Sequence, residues 1–256
     1  GQVLLVRSKP VRPTPAGRRL LPYLAQLRLM EAEALRALSP RQADGPLRLA
    51  VGVNADSLAT WFIGAVAEVI RGEGIVLDCV VDDQDHTHAL LADGEVLGCI
   101  STRPDPIRGC AAVRLGSMPY LCAGSPAFRA RWFPQGLTAA ALARAPAIVF
   151  GHHDDMHEAF LLRHFGLDAQ RYPHHVVPSS EGFMAFAVAG LGYGFIPEIQ
   201  ARAHLARGEL VDLAPERENV ELYWHHWQVQ SPVMARLAQA IADAAGNALT
   251  SPTPAA

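Results

Sequence analysis

The sequence predicts an α/β fold of two similar subdomains, and three observations carry that reading. Apolar runs of strand length alternate with segments of helical period along most of the chain, the pattern of parallel or mixed sheets covered by helices on both faces. That pattern restarts near Ala147. The body also opens, between Leu47 and Trp61, on a strand that runs straight into a helix. Leu47 to Val53 alternates and reads as a strand entering a buried sheet; Asn54 to Ser57 supply turn and N-cap chemistry. Leu58, Trp61, Phe62, Ala65, Val66 and Val69 follow at helical spacing. Such a joint aims several backbone N–H groups at one spot, an anion site that suits a carboxylate. The plainer reading is a simple cap at Asp56 or Ser57.

Before this body, residues 3–7 read as a short strand. Thr14 is an N-cap and Pro15 the first residue of a helix that runs to about Leu38. Leu20, Leu24, Leu27, Ala34 and Leu38 form a narrow apolar seam broken by Glu31, which suits pairing with another chain. Packing on its own body is the alternative. Pro, Gly and Asp between Ser39 and Pro46 read as a hinge. Within the body, strands are expected at 75–81, 96–101, 112–115, 120–123, 147–150, 174–177, 193–196, 209–213 and 220–227. Helices are expected at 85–93, 125–133, 138–143, from Asp154 or Asp155 to about 165, at 180–189, after Pro197, and at 231–245. The Pro- and Ala-rich tail from Thr250 is expected to fray.

Half of the 256 residues are hydrophobic, which excludes a disordered chain. No apolar run is long and uncharged enough to span a bilayer. The start has no signal-peptide h-region and no initiator Met, as expected of the later part of a longer cytoplasmic protein. Cys79, Cys99, Cys110 and Cys122 form no C-x-x-C pair; they read as reduced and mostly buried, not as a zinc site. Residues 1–41 carry a net charge of +6 and the remainder −9. A basic front on an acidic body suits a nucleic-acid contact, or a plain solvated helix.

No catalytic set is present: there is no G-x-S-x-G elbow, no P-loop and no complete G-x-G-x-x-G. Gly192-Tyr193-Gly194 follows a helix and enters a strand, the wrong order for a dinucleotide site. The densest polar cluster runs from Gly151 to His157 and includes His152, His153, Asp154 and Asp155. Its spacing matches neither H-E-x-x-H nor a finger, and acids that open a helix are ordinary caps. His174-His175 and His225-His226 read as structural or exposed.

Leu4 to Arg7 together with Arg12-Pro13-Thr14-Pro15-Ala16-Gly17-Arg18-Arg19-Leu20-Leu21 resembles the wing and linker helix of LysR-type transcriptional regulators. Asn54 to Trp61, Asp154 to His157 and Leu222-Tyr223-Trp224-His225 resemble the lysine- and arginine-sensing branch, the chromosome replication initiation inhibitor family. The resemblance runs over nearly the whole chain. It implies a periplasmic-binding-protein-like effector domain with a coinducer between two α/β subdomains, and an N-terminal winged helix-turn-helix. Only the wing and linker helix of that module are expected here. The implied layout is 1–14 wing remnant, 15–38 linker helix, 39–46 hinge, 47–122 with 224–246 subdomain I, 123–223 subdomain II, and 247–256 tail.

The resemblance also implies site residues. Asn54, Ser57 and Thr60 would hold the α-carboxylate, and Asp56 would meet the α-ammonium or cap the helix. Ser101 ends a strand that should face the same cleft, or is a turn residue ahead of Pro104. Among Asp82, Asp83 and Asp85, Asp83 is favoured as a partner for a cation. Asp154 and Asp155 are the expected acceptors of a basic side chain, with Glu181 a second candidate. Arg7, Lys9 and Arg12 of the wing would touch DNA weakly. The implied function is transcriptional regulation in response to L-lysine or L-arginine, controlling export or metabolism of basic amino acids. No enzyme activity, metal or other cofactor is expected. The expected partners are double-stranded DNA, the basic amino acid and a second or further copies of the chain as homodimer or homotetramer; RNA polymerase is a further candidate, a membrane is not. A solute-binding protein with no DNA role and a metal hydrolase built on the His-Asp cluster are the rival classes.

Overall fold

The chain enters through a two-strand ladder, β1 (Leu5–Val6) antiparallel to β2 (Arg12–Pro13), with Leu5 opposite Pro13. In this computed structural model the described residues are 2–38, 45–81, 84–151, 155–167 and 172–250. Thr14 then starts α1 (Pro15–Leu38): its Oγ1 accepts from the Gly17 N–H at 3.1 Å and donates to the Val3 carbonyl at 2.7 Å. One hydroxyl thus caps the helix and ties the ladder to it.

After α1 come β3 (Leu47–Val53), α2 (Ala55–Ser57), a π-helical turn (Leu58–Phe62), α3 (Ile63–Glu73), β4 (Ile75–Val81), α4 (Gln84–Ala92), β5 (Gly98–Ser101) and β6 (Cys110–Gly124). They are followed by α5 (Pro126–Trp132), α6 (Ala139–Leu142), β7 (Ala147–Val149), α7 (Asp155–Phe165), β8 (His174–Val176), α8 (Ser180–Val188), β9 (Gly194–Pro197), α9 (Glu198–Ala206), β10 (Val211–Trp227) and α10 (Pro232–Ala248). The chain divides into two compact units: Gly1–Gly116 with Glu221–Ser251, and Ser117–Val220. β6 and β10 each run through both.

In the first unit the strand order is β4-β3-β5-β10. β3 is parallel to β4 from Leu47↔Ile75 to Val53↔Val81, and parallel to β5 at Val51↔Gly98 and Gly52↔Cys99. β10 returns antiparallel, with His225 opposite Cys99 and Tyr223 opposite Ser101. The alternation seen in the sequence puts Leu49, Val51 and Val53 wholly inside, each side chain contributing about 1.5–3 kcal/mol by burial. α10 packs on α3, and α4 on β5. Gly74, in the left-handed conformation at φ 57°, closes α3 and lets β4 begin at the next residue. Gly98 serves close approach instead: a Cβ there would sit 2.5 Å from the Trp224 indole.

Helix α1 is anchored to this unit by one face. Leu29 and Pro22 are buried, and Arg36 donates to the Glu73 carbonyl at 3.2 Å. At about 100° per residue, Leu20, Leu27 and Leu38 point away from Leu29, and all three are exposed, as is Leu24. The helix therefore carries two apolar faces, one used and one open.

In the second unit β6 carries β9 antiparallel, and β7 lies parallel to β8. α8 packs on β7, α9 and α7 on β9. Leu121, Ile148, Phe183, Met184 and Ile196 form its core. Arg217 gathers Glu198, Asp212 and three backbone carbonyls, and Arg163 pairs with Glu218 at 2.9 Å.

Three expectations need correction. The strands expected at 112–115 and 120–123 are one strand, β6, and those at 209–213 and 220–227 are one strand, β10. Pro119 and Pro215 lie in the gaps left between the expected strands, and neither falls on the rungs that join β6 to β9 or β10 to β5. The cap of the first body helix is Asn54, in extended conformation, not Asp56 or Ser57, and the helix then widens into a π turn at Leu58–Phe62.

Candidate functional site

The joint after β3 holds an unusual set of buried polar atoms. Asn54 is 4 % exposed, Ser57 0 % and Trp61 6 %. Asn54 Oδ1, Ser57 Oγ and Trp61 Nε1 are all enclosed, and none has a hydrogen-bond partner among the described residues. Asn54 sits at the N-cap position but makes no side-chain cap bond. Leaving such groups unmatched costs about 1–3 kcal/mol each, and a run of them on one joint calls for a partner such as ordered water, an ion or a small molecule. The helix behind them adds the N–H groups and positive dipole end of its first turn.

The π turn accounts for part of this arrangement. Widening the helix after Ser57 changes which side chains follow it on the inner side, and such turns gather at functional sites. Thr60 Oγ1 donates to the Asp56 carbonyl at 2.6 Å. In this structure its proton goes to the backbone and stiffens the turn. Asp56 is half-buried in the first helical turn.

Ser101 is brought alongside. Continuing the register Val51↔Gly98 and Gly52↔Cys99 puts Ser101, fully buried, level with Asn54 at neighbouring carboxyl ends of parallel strands. Ligands of open α/β sheets collect at such ends. Ser101 Oγ accepts the Arg103 N–H at 3.3 Å, so it is also the turn residue of the plainer reading. Asp83, expected at the next strand end, lies outside the described residues.

A separate groove of about 490 Å³ in the same unit is lined by Leu58, Ile63, Val66, Ile70, Val76 and Leu77. Its walls are almost wholly apolar, so it does not suit a zwitterion. The joint at Asn54 is the better match for one.

In the second unit, Asp155 is the first residue of α7 and is exposed, and Asp154 lies outside the described residues. Glu181 is exposed in the first turn of α8, where Ser179 Oγ donates to its carboxylate at 3.2 Å and accepts the Gly182 N–H at 3.1 Å. The more buried group is His157, one turn into α7. Its ring centroid lies 5.0, 5.2 and 5.8 Å from those of Tyr172, Tyr193 and Phe195. Nε2 is hydrogen-bonded to the Tyr193 hydroxyl at 3.2 Å. Burial, with His174 adding charge repulsion, pushes the His157 pKa down to about 3. His157 is therefore a neutral core residue. Among the described residues no group of three or more His, Cys, Asp or Glu side chains forms a metal site.

Arg7 and Lys9 are exposed between the strands of the entry ladder, and Arg12 is exposed on β2. They form a small cationic tip. Among the described residues no helix is long and apolar enough to cross a membrane.

Two side chains escaped the sequence reading. Trp61 counts there only as an apolar helix position, although its indole N–H is one of the orphaned groups. His225, read as structural or exposed, is fully buried opposite Cys99, and its bond to the Arg103 carbonyl was not foreseen. An indole N–H next to Asn and Ser at a strand-helix joint is the one signal that could have pointed to Trp61.

Comparison with known proteins gives a consistent answer. Residues 40–246 match the LysR substrate binding domain family. The chain is 44 % identical over 247 residues to the HTH-type transcriptional regulator ArgP of Aeromonas salmonicida, covering 96 % of this chain and 83 % of that protein. Its fold is similar to the crystal structure of ArgP from Mycobacterium tuberculosis, with a TM-score of 0.88, 38 % identity, and coverage of 98 % of this chain and 84 % of that one. It is also similar to full-length LysG from Corynebacterium glutamicum with bound effector Arg, with a TM-score of 0.86, 35 % identity, and coverage of 98 % and 85 %.

Proposed function

The chain belongs to the LysR family of transcriptional regulators, and from that premise we propose that it senses a basic amino acid, L-lysine or L-arginine, through the joint at Asn54. The observation that carries the proposal is the trio of buried, unpartnered atoms Asn54 Oδ1, Ser57 Oγ and Trp61 Nε1, spread from the N-cap to the second turn of one helical segment. The α-carboxylate takes donors from Ser57, Trp61 and the first-turn N–H groups, where the helix dipole favours negative charge. The amide of Asn54 offers an acceptor to the α-ammonium, with Asp56 beside it as a second. Ser101, level with Asn54, completes the carboxylate side. The similar LysG structure, which carries bound Arg, supports the choice of ligand class.

A basic amino acid has a distal cation as well. Asp154 and Asp155 are its first proposed acceptors, then Glu181 and Asp83, on charge alone. The regulated process is proposed to be export or metabolism of the same amino acid. Double-stranded DNA is met in part by Arg7, Lys9 and Arg12, whose contacts with phosphate position the protein without reading sequence. Self-association uses the open face of α1.

A calorimetric screen against the common amino acids tests the reading. Lysine and arginine are expected to bind, and norleucine poorly. Tight binding of an acidic or neutral amino acid, with none of lysine or arginine, would overturn it.

A further inference from the structure

Resting on the reading of Ser101 as part of the effector site, we propose that His225 is a positioning residue for that site, acting through the turn Ser101-Thr102-Arg103. His225 lies on β10, directly opposite Cys99 on β5, and is fully buried. Its Nε2 is 2.8 Å from the Arg103 carbonyl oxygen. A carbonyl only accepts, so Nε2 carries the proton and His225 donates. Arg103's other backbone group, its N–H, goes to Ser101 Oγ at 3.3 Å. The turn after β5 is therefore pinned at both ends of one residue, by a hydroxyl of the site and by an imidazole from the neighbouring strand.

The imidazole is itself held. The His88 ring on α4 meets it edge-on, with centroids 5.3 Å apart. His225 Nδ1 is enclosed and has no hydrogen-bond partner among the described residues. A second proton would have to sit there, which keeps the ring in the neutral Nε2–H form that can donate to Arg103. The two bonds together hold the Arg103 backbone: without the His225 donor the segment can shift about φ and ψ of Arg103, and the N–H that contributes to placing Ser101 Oγ beside Asn54 shifts with it. His225 touches no effector atom; it acts only through Ser101.

The test is a double-mutant cycle read by calorimetry with arginine and lysine. His225→Phe keeps the ring and removes the donor; it is expected to weaken binding about tenfold, the worth of one hydrogen bond. His225→Gln, which can still donate to Arg103, is expected to restore most of the affinity. In a Ser101→Ala background the effect of His225→Phe should shrink to about twofold or less, because there is no hydroxyl left to position. A purely structural role would cost the same in both backgrounds, and that result would overturn the proposal. If His225→Phe does not fold, His225→Asn, polar but too short to reach Arg103, takes its place in the cycle. Amide exchange at the Arg103 N–H gives a ligand-free readout: it should quicken in the Phe or Asn variant and stay slow in the Gln variant. A parent protein that binds neither amino acid would sink the functional reading, whereas unchanged affinity and unchanged exchange in the variants would sink the positioning role alone.

Discussion

Glu33 Oε1 accepts the Ser231 hydroxyl at 2.8 Å and the Val233 N–H at 3.1 Å, so a residue of α1 caps α10, the last helix. Ser231 is itself the N-cap of α10, accepting the Met234 N–H at 3.1 Å. A single carboxylate thus fastens α1 to α10, which in turn packs on α3 behind the candidate site. Charge-assisted bonds of this kind are worth about 1.5–3 kcal/mol, less where water still reaches them. Glu33→Ala is expected to lower stability by about 1–2 kcal/mol in urea unfolding. It should also quicken proteolysis within α1. Unchanged stability would show that the helix is held by Leu29 and Pro22 alone.

The open face of α1 predicts self-association. Leu20, Leu24, Leu27 and Leu38 are exposed together on one side of a long helix, a pattern that suits pairing with a second copy. Sedimentation at high micromolar concentration should show a dimer or larger species. Replacing Leu24 and Leu27 by Glu should shift it toward monomer while leaving the circular dichroism of the body intact. A parent protein that stays strictly monomeric would count against the proposed interface.

His157 predicts a pH dependence of stability. Its pKa is about 3 in the fold, against about 6.5 in an unfolded chain. Between those values the unfolded chain binds the extra proton. The contribution of neutral His157 is therefore complete above about pH 6.5 and is lost as pH falls toward 3, at up to about 1.4 kcal/mol per unit. From pH 6.5 to 5 the loss is about 1.6 kcal/mol. Urea unfolding of the parent and of His157→Phe across this range should give curves that diverge by about that amount, the variant being the flatter. Parallel curves would mean that the imidazole is reached by water.

Much of this site is legible in the sequence, because its parts are contiguous. The alternation of Leu47 to Val53 and the polar run Asn54 to Ser57 mark both the strand and the turn, and Leu47–Val53 and Ile75–Val81 fall where the pattern places them. What local pattern cannot supply is pairing over distance. Tyr223 opposite Ser101, His225 opposite Cys99 and Glu33 at Ser231 depend on register between distant segments. The long strands β6 and β10 were missed for a different reason: Pro119 and Pro215 break a propensity pattern without breaking the rungs that hold these strands.

The central claim is that the Asn54 joint holds an α-carboxylate, and the direct measurement is calorimetry of arginine against agmatine, which differs by loss of that carboxylate alone, on the parent and on Ser57→Ala. The account predicts that the parent binds arginine and loses at least about a hundredfold for agmatine, more than one charge-assisted hydrogen bond being removed. Ser57→Ala should weaken arginine by about tenfold and leave the already weak agmatine binding nearly unchanged. Agmatine bound as tightly as arginine, or arginine binding indifferent to Ser57→Ala, would contradict the account.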